Sequence, residues 1–193
     1  MSRLTLAACL FASLAHAEPA WLTSQGRVSS QTEVAIFAGP RSLGVGLLLP
    51  RGSERRGFGL EGAWLFQDRV AEVRTALRWQ LNATSAATWS ATAGLTGFVV
   101  PEGQFALGLG PHVGLHLSLG GRVAALELGL LSGFDLFTDG VARFTERLQL
   151  GLRSVFGRFT LGLSGRAGVD LSPGRNFVLR ADAIFSVGLR SAP

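Results

Sequence analysis

The chain has 193 residues, 47% of them hydrophobic and 16% charged; its 18 basic side chains are all Arg, against 13 acids, with 26 Gly and no Tyr. A mean hydropathy of +0.33 argues against a disordered chain. Past the N-terminus no unbroken apolar run reaches the ~18 residues of a membrane helix, and the Arg are dispersed, which argues against nucleic acid as a partner.

Residues 1–17 have the parts of an export signal. Arg3 is the positive head, Leu4 to Leu14 the apolar stretch, and Ala15-His16-Ala17 the small-residue cleavage site before Glu18-Pro19. A buried first helix is the structural alternative. Leu6-Ala7-Ala8-Cys9 also mimics a lipoprotein box, but only eight residues precede Cys9 and the apolar run continues beyond it. Cleavage after Ala17 leaves 176 residues (193 − 17) without cysteine, so no disulfide supports them. Residues 18–31 (EPAWLTSQGRVSSQ) are polar and irregular, a leader ahead of the folded part.

From Thr32 onward apolar and polar residues alternate with period two, the signal of strands with two unlike faces. The spacing predicts strands at 32–39, 42–49, 57–66, 69–81, 86–99, 104–119, 122–137, 141–156, 158–171 and 176–190. The last eight are the minimum; a first hairpin with Pro40-Arg41 at its tip makes ten. Residues 104–119 show the pattern best. Phe105, Leu107, Leu109, Val113, Leu115, Leu117 and Leu119 share one face; Gly108, Gly110, His112, Gly114, His116 and Ser118 share the other. Turn residues join the strands at Gln67-Asp68, Pro101-Glu102-Gly103, Gly120-Gly121, Thr138-Asp139-Gly140 and Ser172-Pro173-Gly174-Arg175. The charge run Arg51–Arg56 reads as a solvated loop that can touch anionic head groups.

Several strands exceed the roughly 9–11 residues that cross a bilayer. Opposite the apolar stripe lie Glu61, Glu72, Arg74, Arg78, Glu127, Asp135, Arg143, Arg147, Arg153, Arg166, Asp170, Arg180, Asp182 and Arg190. These are too many charges for a dry core, and the Leu/Phe/Val stripe is too large to leave in water. Both conditions are met by a closed antiparallel up-and-down barrel with its apolar face in lipid and its charges in the lumen. The soluble alternative is a secreted sandwich or lipid-binding barrel with the faces reversed.

Export signal, amphipathic strands and tight turns over residues 32–190 resemble the small outer-membrane β-barrels of Gram-negative bacteria. The resemblance is architectural and transfers no site residue. It implies residence in the outer membrane, contact with its lipid and lipopolysaccharide, and insertion by the barrel-assembly machinery. The chain departs from the pattern in ending Leu189-Arg190-Ser191-Ala192-Pro193, without a terminal aromatic residue, and in lacking Tyr; Trp21, Trp64, Trp79, Trp89 and some Phe would form its interfacial girdles.

Closing hairpins about their turn residues sets Glu61 opposite Arg74, Asp135 opposite Arg143, Arg166 opposite Asp182, and Glu127 diagonal to Arg153. The same construction over Pro101–Gly103 sets Thr92 beside His112 and Thr88 beside His116. Eight to ten strands leave a lumen about wide enough for side chains to fill, so Arg–carboxylate pairs would plug it, and the primary functional expectation is a non-catalytic, structural barrel. The alternative is a narrow pore favouring anions, because eight inward Arg face six inward acids. A third reading is a lipid A deacylase, since His116 and Ser118 share a strand face; their inward direction and the missing third member count against it. No cofactor is implied, and two histidines without cysteine make no metal site. Oligomeric state is left open.

Overall fold

The computed structural model describes residues 31–51, 53–66, 69–84, 86–101, 106–121, 123–138, 140–171 and 178–191. The expected export signal, all but the last residue of the leader, and Trp21 lie outside these. Ten strands follow one another: β1 (Glu33–Ala38), β2 (Ser42–Arg51), β3 (Ser53–Leu65), β4 (Val70–Ala83), β5 (Ala87–Val100), β6 (Ala106–Gly120), β7 (Ala124–Phe137), β8 (Ala142–Phe156), β9 (Phe159–Leu171) and β10 (Val178–Arg190). Each pairs antiparallel with its neighbour in sequence, and β1 pairs with β10, so the sheet closes into a barrel of ten strands.

Alternation decides which way each side chain points, and the structure puts the greasy face outside. Leu107, Leu109, Val113, Leu115, Leu130, Leu148, Leu150, Leu152 and Leu163 are all exposed. Their polar neighbours one residue along are buried within the barrel. This apolar exterior is the surface of a membrane-spanning barrel. Trp64, Trp79 and Trp89 lie on the outer face, as do Phe134, Phe144, Phe156 and Phe159. Trp64 and Phe144 stand near one rim, Trp89 and Phe156 near the other, and there the Trp indoles, apolar ring with one polar N–H, match the lipid–water boundary.

Several details depart from a uniform wall. Pro111 has no N–H, and the β6–β7 register skips from Leu109↔Leu136 to His112↔Gly133 around it. Beside it β7 comes so close that a Cβ on Gly110 would meet the Phe134 carbonyl oxygen at 1.9 Å. Gly157, at φ 59°, lets β8 reverse into β9. Glu146 sits on the outer face of β8 among leucines, where it accepts a 2.9 Å hydrogen bond from Ser132 of β7. Finally, the run Arg51–Arg56 is not a free loop: Arg51 pairs with Ser53 at a hairpin tip, and β3 already includes Arg55 and Arg56. The reason is that Gly57 and Phe58 continue the ladder to β2 and carry the preceding charges into strand geometry at the rim.

Candidate functional site: the charged lumen

The registers carry the ionic residues to one surface. Glu61 stands opposite Arg74, Asp135 opposite Arg143, and Arg166 opposite Asp182. Glu61, Glu72, Arg74, Arg78, Glu127, Asp135, Arg147, Arg153, Arg166 and Asp170 are buried on the inner face. Asp182 is partly buried there, as are Arg143 and Arg190 nearer the rims. Arg180 follows the inward parity of β10, but its side chain lies outside the described residues.

Four groups of charges follow one another along the lumen. At the rim near the termini, Glu33 takes the Arg190 Nε at 3.0 Å and the Thr160 hydroxyl at 2.8 Å. Above it Glu127 accepts from Ser118 at 3.1 Å and lies 3.3 Å from Arg153 Nε, with Arg78 in electrostatic reach. Midway, Arg74 lies 2.9 Å from Glu72 and donates to Thr96 at 3.3 Å, while Arg166 donates to Gln149 at 3.2 Å. At the far rim Asp135 accepts two bonds from Arg143, and Asp170 lies 2.6 Å from Arg147 and 3.9 Å from Arg143. The Arg143 guanidinium lies 4.6 Å from the Phe98 ring centre and 5.3 Å from that of Phe137, so an aromatic pair roofs this end.

The histidines hold a different register from the one expected. Thr92 bonds His116 Nε2 and Thr96 bonds His112 Nδ1, both at 3.0 Å. Gly94 opposes His112 and Ser90 opposes His116. The cause is the turn: the β5–β6 pairs are centred on residue 103, not 102, and moving a hairpin's centre by one moves every partner by two. His112, His116 and Ser118 are buried on the inner face.

Sequence reasoning missed Glu33, whose inward parity was legible in the alternation Glu33, Ala35, Phe37 against Val34, Ile36, Ala38. Among the described side chains, the inward charges expected from the sequence together with Glu33 come to seven Arg against seven acids, so the expected excess of two is not found among them. It also missed a small apolar cluster on the inner wall, Ala35, Phe37, Leu48 and Ile184. Among the described residues no group of His, Cys, Asp and Glu is arranged to hold a metal ion.

No family model and no curated protein matches the chain. Solved structures similar to it include the NanC porin, with TM-score 0.45 and 11% identity over 84% of this chain and 99% of the porin. Others are OccK1 (OpdK) of Pseudomonas aeruginosa, with TM-score 0.31 and 10% identity over 78% and 56%, and a loop-deleted OmpT, an outer membrane protein of Vibrio cholerae, with TM-score 0.31 and 10% identity over 93% and 72%. Likeness at this level transfers no residue role, and the barrel wall described above rests on the chain's own registers and exposures.

Proposed function

We propose that this chain is an exported barrel of the Gram-negative outer membrane with a plugged lumen and a structural, non-catalytic role. Its partners are membrane lipid and lipopolysaccharide outside and the barrel-assembly machinery during insertion. The observation that carries the reading is the burial of Arg78, Arg74, Arg153 and Arg166 together with Glu61, Glu72 and Glu127 on the inner face. Cations and carboxylates that shield one another from water across a narrow barrel fill it instead of lining an aqueous path. Purified protein in planar bilayers is therefore expected to give no steady channel current. Regular single-channel steps, with either ion preference, would contradict the plug.

The same packing weighs against hydrolysis. The Ser118 hydroxyl donates to Glu127, a charge-assisted bond inside the wall, and so does not face the acyl chains outside. Ser118→Ala is expected to leave lipid A acylation unchanged by mass spectrometry and to weaken the barrel by about 1.5–3 kcal/mol, the range for a hydrogen bond to a charged group. An acyl chain retained only in the variant would contradict this.

A further inference from the structure

Of the eight acids whose side chains are described, seven face the lumen and Glu146 alone faces outward. It stands in the middle of apolar wall. Exposed Phe144 and Leu148 flank it along β8, and exposed Phe134 and Leu130 stand opposite these on β7. On the β9 side its register partner is Val169. The carboxylate therefore lies within the apolar belt, two residues inward of Phe144, which stands near the rim. An acid at such a place is costly unless it meets a partner, and it marks a functional position by default.

The wall supplies one partner. Ser132 of β7, directly opposite, donates to Glu146 Oε2 at 2.9 Å. Among the described residues this is the one hydrogen bond of the carboxylate, and it makes no ion pair there. The neighbouring Arg147 does not provide one. Strand alternation turns it inward, where it lies 2.6 Å from Asp170 and donates to the backbone carbonyls of Glu146 and Val169 at 3.3 and 3.1 Å. Gly168 gives it room, since a Cβ there would stand 2.5 Å from Arg147 Cδ. The guanidinium is thus held on the lumen side of the wall. An ionised carboxylate offers about four acceptor positions, and hydrocarbon supplies no donor for those that Ser132 leaves.

The side chains around Glu146 select the donor. Phe134 and Phe144 are cross-strand partners one step toward the rim, so two exposed rings stand beside the acid. Aromatic faces attract cations, and ammonium groups are recognised in this way. The register row of Glu146 runs Val113, Ser132, Glu146, Val169. The longer Phe134 and Phe144 stand on its rim side, and Leu130 and Leu148 on its other side. The half-buried carboxylate therefore lies in a furrow that a slim head group reaches and the broad face of a second barrel does not. A donor that comes from the bilayer, carries N–H and sits just beneath the aromatic level is the ammonium of a phospholipid.

We propose that Glu146 and Ser132, with Phe134 and Phe144, form a site on the outer wall for one phospholipid with a primary ammonium head group. The ammonium donates to the Glu146 carboxylate beside the two rings, and the acyl chains run over Leu148 and Leu150 toward the midplane. This inference depends on the membrane-spanning reading and goes beyond the structural role.

The test uses the full barrel in detergent, loaded with phosphatidylethanolamine, phosphatidylcholine or phosphatidylglycerol of equal chain length and weighed by native mass spectrometry. Heat-modifiable migration on SDS gels reports the intact barrel in each sample. Wild type is expected to keep one phosphatidylethanolamine in preference to phosphatidylcholine, whose ammonium has no N–H, and to phosphatidylglycerol, which has no cation. Glu146→Leu places in β8 the residue its neighbours already use, so the barrel stays folded. It is expected to lower phosphatidylethanolamine retention about tenfold, equivalent to 1.4 kcal/mol. Phe144→Leu is expected to lower it about two- to fivefold, the worth of one exposed cation–π contact. Equal retention by wild type and Glu146→Leu, or equal retention of the three lipids by wild type, would overturn the proposal while heat-modifiable migration kept the barrel reading intact. A dimer that Glu146→Leu dissolves would assign the face to a second copy and also overturn it. Wild type that is not heat-modifiable would overturn both.

Discussion

Glu127→Ala is expected to cost about 3–5 kcal/mol of barrel stability, the range for removing one partner of a buried ion pair. Glu127 is buried, accepts from Ser118, and lies 3.3 Å from Arg153 Nε with Arg78 in electrostatic reach. Its loss leaves two enclosed guanidinium groups facing each other with their shared acid gone. The effect reads out as a lower urea midpoint of the folded, heat-modifiable form in vesicles. The paired variant Glu127→Ala/Arg153→Ala is expected to lose less than the two single losses added together, because the charge left unpaired by the first change is removed by the second. Additive losses would mean that the two side chains do not share one enclosed network.

Leu150→Arg is expected to disfavour the folded barrel by about 2–4 kcal/mol in a bilayer, the cost of a cation near the midplane. Leu150 points outward at the middle of β8, 52% exposed, flanked by Leu148 and Leu152, each 59% exposed. Leu119→Arg, at the end of β6, is expected to cost only about 0–1 kcal/mol, because a long side chain near the interface reaches water. The comparison is made by folding into vesicles at graded urea. Equal penalties at the two depths would contradict a bilayer around the barrel.

Much of this architecture was legible because strand parity is a strict code. Once Leu148, Leu150 and Leu152 are placed on one face, Arg147, Gln149 and Arg153 must share the other, and three ion-pair registers follow from turn residues. The hairpin about Asp139 was easy, since Thr138-Asp139-Gly140 fixes its centre. The β5–β6 hairpin was not: several centres are open to its connection, and a shift of one residue moves the partner of Thr92 from His112 to Gly114, where its hydroxyl bonds the diagonal His116. Glu33 was hidden because the first strand is short and lies beside the polar leader. Glu146 broke the apolar stripe of β8 visibly, but only the structure supplies its partner, Ser132. The length of β1 against β10 was beyond sequence reasoning, since closure pairs residues 147 to 157 apart in the chain and no local pattern says how far that pairing runs.

The account depends most on which face meets hydrocarbon. Spin labels placed singly at Leu148, Gln149, Leu150 and Leu152 in bilayer-inserted protein test it directly, since Cys9 is the sole cysteine of the sequence. Collision with dissolved oxygen is expected to be high, and with a water-soluble nickel chelate low, at 148, 150 and 152, with protection from both at 149. Labels at the three leucines shielded from oxygen, with 149 open to nickel, would reverse the wall and contradict the account.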